Sequence, residues 1–275
     1  MPYRHANWFV GLTLAVIIAG FWPSYFTQFG TAPAAFHMHA ITSTVWVALL
    51  MVQVWSIQNR KNSLHKAVGK ASLILFPFMI VGFVAIINHT AWRLANEANP
   101  VTAAFAPSFG VGMASAIVMY LVLYYLALRQ RRTIALHAGY MLMTPAVLFE
   151  SPFSRILLDH APFLIFTGSG FPQIVLDSIV ISMGLVVVFC LGLYAFNRKH
   201  GAPFLLTAIM IAIQAALMYF APSIGVLRTG MEAYASLPDM LTLIAAFAIA
   251  AAVTWAGWTH GAPRPRAGRA AAPAE

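Results

Sequence analysis

Charge is scarce in this chain. Only 8% of its 275 residues are Asp, Glu, Lys or Arg, where a soluble domain carries about 25%. Hydrophobic residues make up 61%. So few charges cannot clothe a water-facing surface of this size, which excludes an ordinary soluble domain. Acidic residues are the rarest, seven against sixteen basic ones, for a net charge of +9. A surplus of that sign is one mark of a nucleic-acid binder. Here the basic residues sit in short segments between apolar runs, so no basic face forms and nucleic acid is excluded as a partner. Cysteine is nearly missing. Cys190 stands alone inside an apolar run, so no intrachain disulfide can form, and thiols carry no information on redox compartment. The catalytic signatures of soluble enzymes are absent too. There is no phosphate-binding loop, no dinucleotide fingerprint, no set of desaturase-type histidine boxes and no Cys-x-x-Cys-His haem attachment. Enzyme activity is therefore left open.

What the chain does have is long apolar runs. A membrane-spanning helix needs about 20 mostly apolar residues. Eight stretches qualify: 8–26, 37–57, 70–90, 104–127, 134–158, 173–197, 202–222 and 238–258. The first has a basic start and an apolar middle like a signal peptide. It lacks a small-x-small cleavage site and ends in Trp-Pro-Ser-Tyr, so it reads as a retained membrane helix. The expected fold is an all-α polytopic bundle of eight spans. Residues 1–261 form one transmembrane unit, and 262–275 form a disordered, Pro/Ala/Arg-rich basic tail.

Lys and Arg are unevenly shared between the two ends of these spans. One side receives Arg4, the Arg60–Lys70 group, Arg129, Arg131, Arg132, Arg198, Lys199 and the three tail arginines. The other receives only Arg93, Arg155 and Arg228. By the positive-inside rule the first side is cytoplasmic, with both termini on it, as expected of a bacterial inner-membrane protein. Trp8, Trp55, Trp255 and Trp258 fall near the inner interface, and Trp22 and Trp92 near the outer one, as an aromatic belt would. Trp46 falls at mid-membrane and must pack against something there.

The polar residues inside the spans are the candidates for function. His37 and His39 open the second span at the outer face, and His89 closes the third there. His65 sits in the inner loop just before the third span, and His137 about one turn inside the fifth. Along the second span His39, Thr42, Trp46 and Gln53 share one helical stripe. Along the fifth, His137, Tyr140, Thr144, Ser151 and Arg155 share another. Lipid offers no hydrogen bonds, so such stripes turn toward each other or toward a cavity. They serve either as interhelical glue or as a site. Glu150 and Asp177 lie deep in the outer half, where a charge costs about 2.5–3.5 kcal/mol on insertion scales. Arg155 either pairs with one of them, or the spare carboxylate handles protons or touches substrate. His37-Met38-His39 with Asp159 or His160 makes a poor metal site, because residues two apart diverge on a helix, and no metal is expected.

The run His39, Trp46, Gln53, Leu64-His65 and Gly69, followed by Arg132, His137-Ala-Gly-Tyr140-Met141 and Arg155, resembles a bacterial multipass membrane family of uncharacterised activity. The resemblance covers residues 37–160 and brings a topology rather than a reaction. More loosely, histidines near both faces resemble the transmembrane di-haem b-type cytochromes. That resemblance implies haem b ligated by His39 and His89 outside and by His65 and His137 inside, and electron transfer with a quinone or another redox partner. Glu150, Arg155, Asp177, Gln53 and Tyr140 would then handle protons or substrate. Spacing works against it: His65 and His89 are 24 residues apart, or about 36 Å of helix. The competing expectations are a transporter or small-molecule-binding protein with an outer cavity lined by His39, His89, Glu150, Arg155 and Asp177, and an assembly scaffold without chemistry.

Overall fold

A computed structural model describes residues 3–161, 163 and 170–261. The expected tail, 262–275, lies outside the described residues. Helix dominates: α1 (Ala6–Phe21), α2 (Ala34–Gln58), α3 (Asn62–Asn96), α4 (Pro100–Arg129), α5 (Ile134–His160), α6 (Gln173–Phe196), α7 (Ala202–Phe220), α8 (Gly225–Tyr234) and α9 (Asp239–His260). Eight of them are long and apolar enough to cross a bilayer. The chain is an all-helical, multipass membrane protein.

Three features depart from the sequence expectation. First, α3 runs for 35 residues, about 52 Å at 1.5 Å per residue. That exceeds the hydrocarbon core, so both ends protrude. Hydropathy marks only the immersed part, whereas backbone hydrogen bonding carries the helix on through Asn62–Lys70. His65 is therefore in the first turn of α3, its N–H bonded to Lys61 O at 3.1 Å, and not in a loop. His89 likewise lies inside α3 rather than at its end. Second, α8 fills a segment with no apolar run. It is a short exposed helix carrying an Arg228–Glu232 ion pair at 3.0 Å. The Tyr234 hydroxyl fastens its end by donating to Asn88 Oδ1 at 2.6 Å, and Asn88 Nδ2 donates to Thr242 Oγ1 at 2.7 Å. Burial raises the Tyr234 hydroxyl pKa above its ordinary value, so it remains a donor. Third, α1 leads into a π-helical turn, Trp22–Phe26, and a 3₁₀ turn, Phe29–Thr31.

Local chemistry sets the other boundaries. Asn99 caps α4, its side-chain oxygen accepting from the N–H groups of Val101 and Thr102 at 2.9 and 3.2 Å. Pro100 takes the first helical position, where no N–H is needed. Inside α5, Pro145 cannot donate to the Met141 carbonyl four residues back. Thr144 Oγ1 does so instead, at 2.7 Å.

Helices α3, α4 and α5 are the most buried spans. The rest surround them: α2 and α9 pack on α3, α1 and α6 on α5, and α7 on α4 and α6. At mid-membrane the core is a layer of fully buried rings from α2, α3 and α4. Phe76 stacks on Tyr124 with centroids 4.1 Å apart, and Trp46 meets both at 5.6 and 5.4 Å. Trp46 Nε1 donates to Thr144 Oγ1 at 2.9 Å, and the Tyr120 hydroxyl donates to Thr144 O at 2.8 Å. The expectation that Trp46 packs against a partner at this depth is met by α5. Thr144→Val removes the acceptor for a buried indole N–H. It is expected to cost about 1–3 kcal/mol, read as a lower thermal midpoint in detergent. An unchanged midpoint would show that this bond adds nothing.

Candidate functional site

Beyond the ring layer, in the half that the distribution of basic residues marks as outer, lies a cavity of about 730 Å³. That is within the range of small-molecule sites. Its walls are chiefly apolar, with rings from Phe21, Tyr25, Phe83, Phe105 and Phe109. Polar atoms reach it from His39 and Ser43 on α2, Glu150, Ser151, Ser154 and Arg155 on α5, Ser178 on α6 and Gln214 on α7.

The polar corner is built on α5. Arg155 Nη1 donates to Ser151 O at 2.7 Å and to Ser151 Oγ at 2.8 Å, one turn below it. The guanidinium lies over the Phe21 ring at 4.7 Å, which fixes its plane. These contacts occupy one nitrogen of a group with five N–H donors. Glu150 lies close enough to interact electrostatically with Arg155, but the two are not in contact. Among the described residues the ion pairs are Arg93–Glu97 and Arg228–Glu232. The expected Arg155 pair with Glu150 or Asp177 is thus not formed. The physical reason is that Arg155 spends its near contacts on its own helix and on Phe21. Among the described residues Glu150 has no hydrogen-bond partner, and it lines the cavity.

His39 enters from α2. Its ring stands edge-on to Phe83 with centroids 4.6 Å apart, and Nδ1 is 3.5 Å from Ser43 Oγ. His37, two residues earlier in α2, bonds the Tyr25 hydroxyl at 2.8 Å. This ties the π-helical turn over the outer end.

Of the residues expected to line an outer cavity, His39, Glu150 and Arg155 do so. His89 and Asp177 are not in its wall. His89 packs edge-on against Phe36 at 5.5 Å. Asp177 is buried in α6 and accepts from Gln173 Nε2 at 3.0 Å. The remaining candidates gather at the inner end. Gln53 Nε2 donates to His65 O at 3.2 Å, and His137 Nδ1 bonds Ala127 O at 2.8 Å. His65 and His137 are near enough for their charges to interact. Gln53 Oε1 and His65 Nδ1 are buried without partners among the described residues. Tyr140 is buried in the core.

Sequence reasoning missed the contributions of α1, α4 and α7 and chose Asp177 rather than Ser178 on α6, because it followed charged and imidazole side chains. Gln214 left a signal: it is the single amide in an apolar run. It donates to Gly112 O at 2.8 Å while lining the cavity. No family model, curated protein or solved structure matches the chain.

Proposed function

We propose that this protein is a bacterial inner-membrane protein that binds an uncharged, ring-bearing, lipid-soluble molecule of quinone type in its outer cavity. The observation that carries this reading is the pairing of apolar, ring-rich walls with one polar corner, where Arg155 and Glu150 face the same space without touching. A cation and an anion at one corner leave it without net charge, which disfavours a charged head. Carbonyl oxygens of a quinone accept from the unused Arg155 donors, and hydroxyls of the reduced form donate to Glu150. Phe83 and its neighbours supply apolar faces for a flat ring. Glu150 is the group that would take or give a proton there.

The test uses purified full-length protein and a short-chain ubiquinone analogue. A ligand that binds only the folded state raises the thermal midpoint with concentration. The expected result is such a rise, together with a quinone in the solvent extract of freshly purified protein. No stabilisation and no quinone in the extract would sink the proposal.

A second reading, haem b, draws support only from the inner end. The Nδ1 of His137 is engaged by a backbone carbonyl, an arrangement that orients metal-ligating histidines, and His65 is its neighbour. The outer cavity, by contrast, holds His39 without His89. A visible absorption spectrum separates the readings, since a haem-loaded preparation is red.

The orientation follows from the distribution of basic residues. Cysteines introduced at Asn62, Gln130 and His200 are expected to react only from the cytoplasmic side. Label reaching position 62 from outside intact cells would reverse the topology.

A further inference from the structure

Two close approaches hold α1 and α2 against different neighbours in the outer half. A Cβ on Gly20 of α1 would overlap the Pro152 carbonyl group, so α1 lies tight against α5. A Cβ on Gly82 of α3 would come within 2.8 Å of Thr42 Oγ1 and 3.0 Å of His39 Cα, so α2 lies tight against α3. Such small residues allow backbones to approach closely in membranes. Near their inner ends α1 and α2 are in contact. Gln58 Nε2 donates to Arg4 O at 3.1 Å, and Met51 Cε sits 3.3 Å from where a Gly11 Cβ would be. In the outer half both helices line the cavity, α1 through Ile17 and Phe21 and α2 through Ile41, Thr44 and Val45. These three α2 residues line it while remaining exposed, Ile41 at 56% and Val45 at 46%. The outer end is roofed by the turn between the two helices, where Tyr25 bonds His37 and Phe29 packs on His37 at 4.6 Å.

From this geometry we infer that the cavity opens sideways into the outer leaflet through the gap between α1 and α2, and that its ligand is a membrane-resident amphiphile taken directly from the lipid. This rests on the ligand-binding reading of the same cavity. The polar corner is on α5, across the cavity from the exposed α2 residues. A molecule arriving head first places its head at Arg155 and Glu150 and leaves its tail in the gap, against Ile41 and Val45. Tail length is then unrestricted, while the head is selected.

The test is site-directed spin labelling of the full chain, with Cys190→Ala removing the native thiol. The protein is held in nanodiscs of an equimolar mixture of phosphatidylethanolamine and phosphatidylglycerol. Labels are placed at Val147 in the cavity wall, at Ile74 on a lipid-facing surface and at Thr229 on exposed α8. Oxygen partitions into lipid, and a nickel chelate stays in water. The expected result is oxygen relaxation at Val147 equal to that at Ile74, with no nickel relaxation. Filling the gap with Ile41→Trp and Thr44→Trp removes the oxygen effect at Val147 and leaves Ile74 unchanged. Both substitutions fall on an exposed face, so folding is not at stake. Nickel relaxation at Val147 matching Thr229, or shielding from both reagents, overturns the lateral opening. The two readings fail separately. If nickel reaches Val147 while the quinone analogue still binds, only the route is wrong. If oxygen enters through the gap and the analogue does not bind, the route stands and the ligand assignment falls.

Discussion

Arg155→Met is expected to weaken binding of the quinone analogue by about one to two orders of magnitude while the helices stay assembled, the largest effect expected on function. Hydrogen bonds to charged groups contribute about 1.5–3 kcal/mol, so losing the guanidinium weakens binding roughly 10- to 150-fold. The substitution keeps an unbranched apolar stem but removes the guanidinium that lies over Phe21, so the thermal midpoint is read alongside binding. Arg155→Lys keeps the charge but not the planar fork that bonds Ser151 and lies over the ring, and an intermediate loss is expected. The neighbouring charge supplies a control. Once Arg155 is gone, the Glu150 carboxylate faces an apolar space without its compensating cation. Adding Glu150→Gln should then restore thermal stability without restoring binding, a non-additivity that a double-mutant cycle measures. If Arg155→Met bound the analogue as tightly as the native chain, the polar corner would not be the head site.

The second large effect concerns stability. Gly20→Val sets a branched side chain against the Pro152 carbonyl, and backbone cannot turn aside as a side chain can. Overpacking costs about 1–3 kcal/mol where the surroundings can adjust, and this position falls at the upper end. The expected outcome is a lower thermal midpoint and less folded protein in the membrane. Gly192 in α6 is the contrast, because a Cβ there would meet nothing within 4 Å. Gly192→Ala should be neutral or slightly stabilising, by up to about 1 kcal/mol from helix propensity. Equal effects at both glycines would mean that the α1–α5 contact is not tight.

The eight spans were legible because lipid immersion imposes a simple rule on composition. The two polar stripes were legible because unpaired polar groups cannot face hydrocarbon. Trp46 meets Thr144, and His39 shares a cavity with Glu150 and Arg155, as two facing stripes would. The extent of α3 and α4 was not legible, since backbone bonding continues a helix past its apolar segment. Helix α8 was hidden for a related reason: it is short, and nothing in its hydropathy sets it apart from a loop. Gly20 and Gly82 read as ordinary residues. A glycine that admits a neighbouring backbone looks no different in sequence from Gly192, which admits nothing. The cavity lies beside those approaches, and α1, α3, α4, α6 and α7 add to its wall.

The stacked rings beneath the cavity bear on energy conservation. A membrane that stores an ion gradient tolerates a deep pocket only if the pocket's floor does not conduct. Here the floor is dry: Trp46, Phe76, Tyr120 and Tyr124 have no accessible surface. Their few polar atoms are spent on Thr144 and Ser72, the latter 3.0 Å from the Tyr124 hydroxyl. Among the described residues this layer stands between Glu150 and the inner cluster of Gln53, His65 and His137. A proton-exchanging group at Glu150, as proposed, would communicate through the cavity side alone.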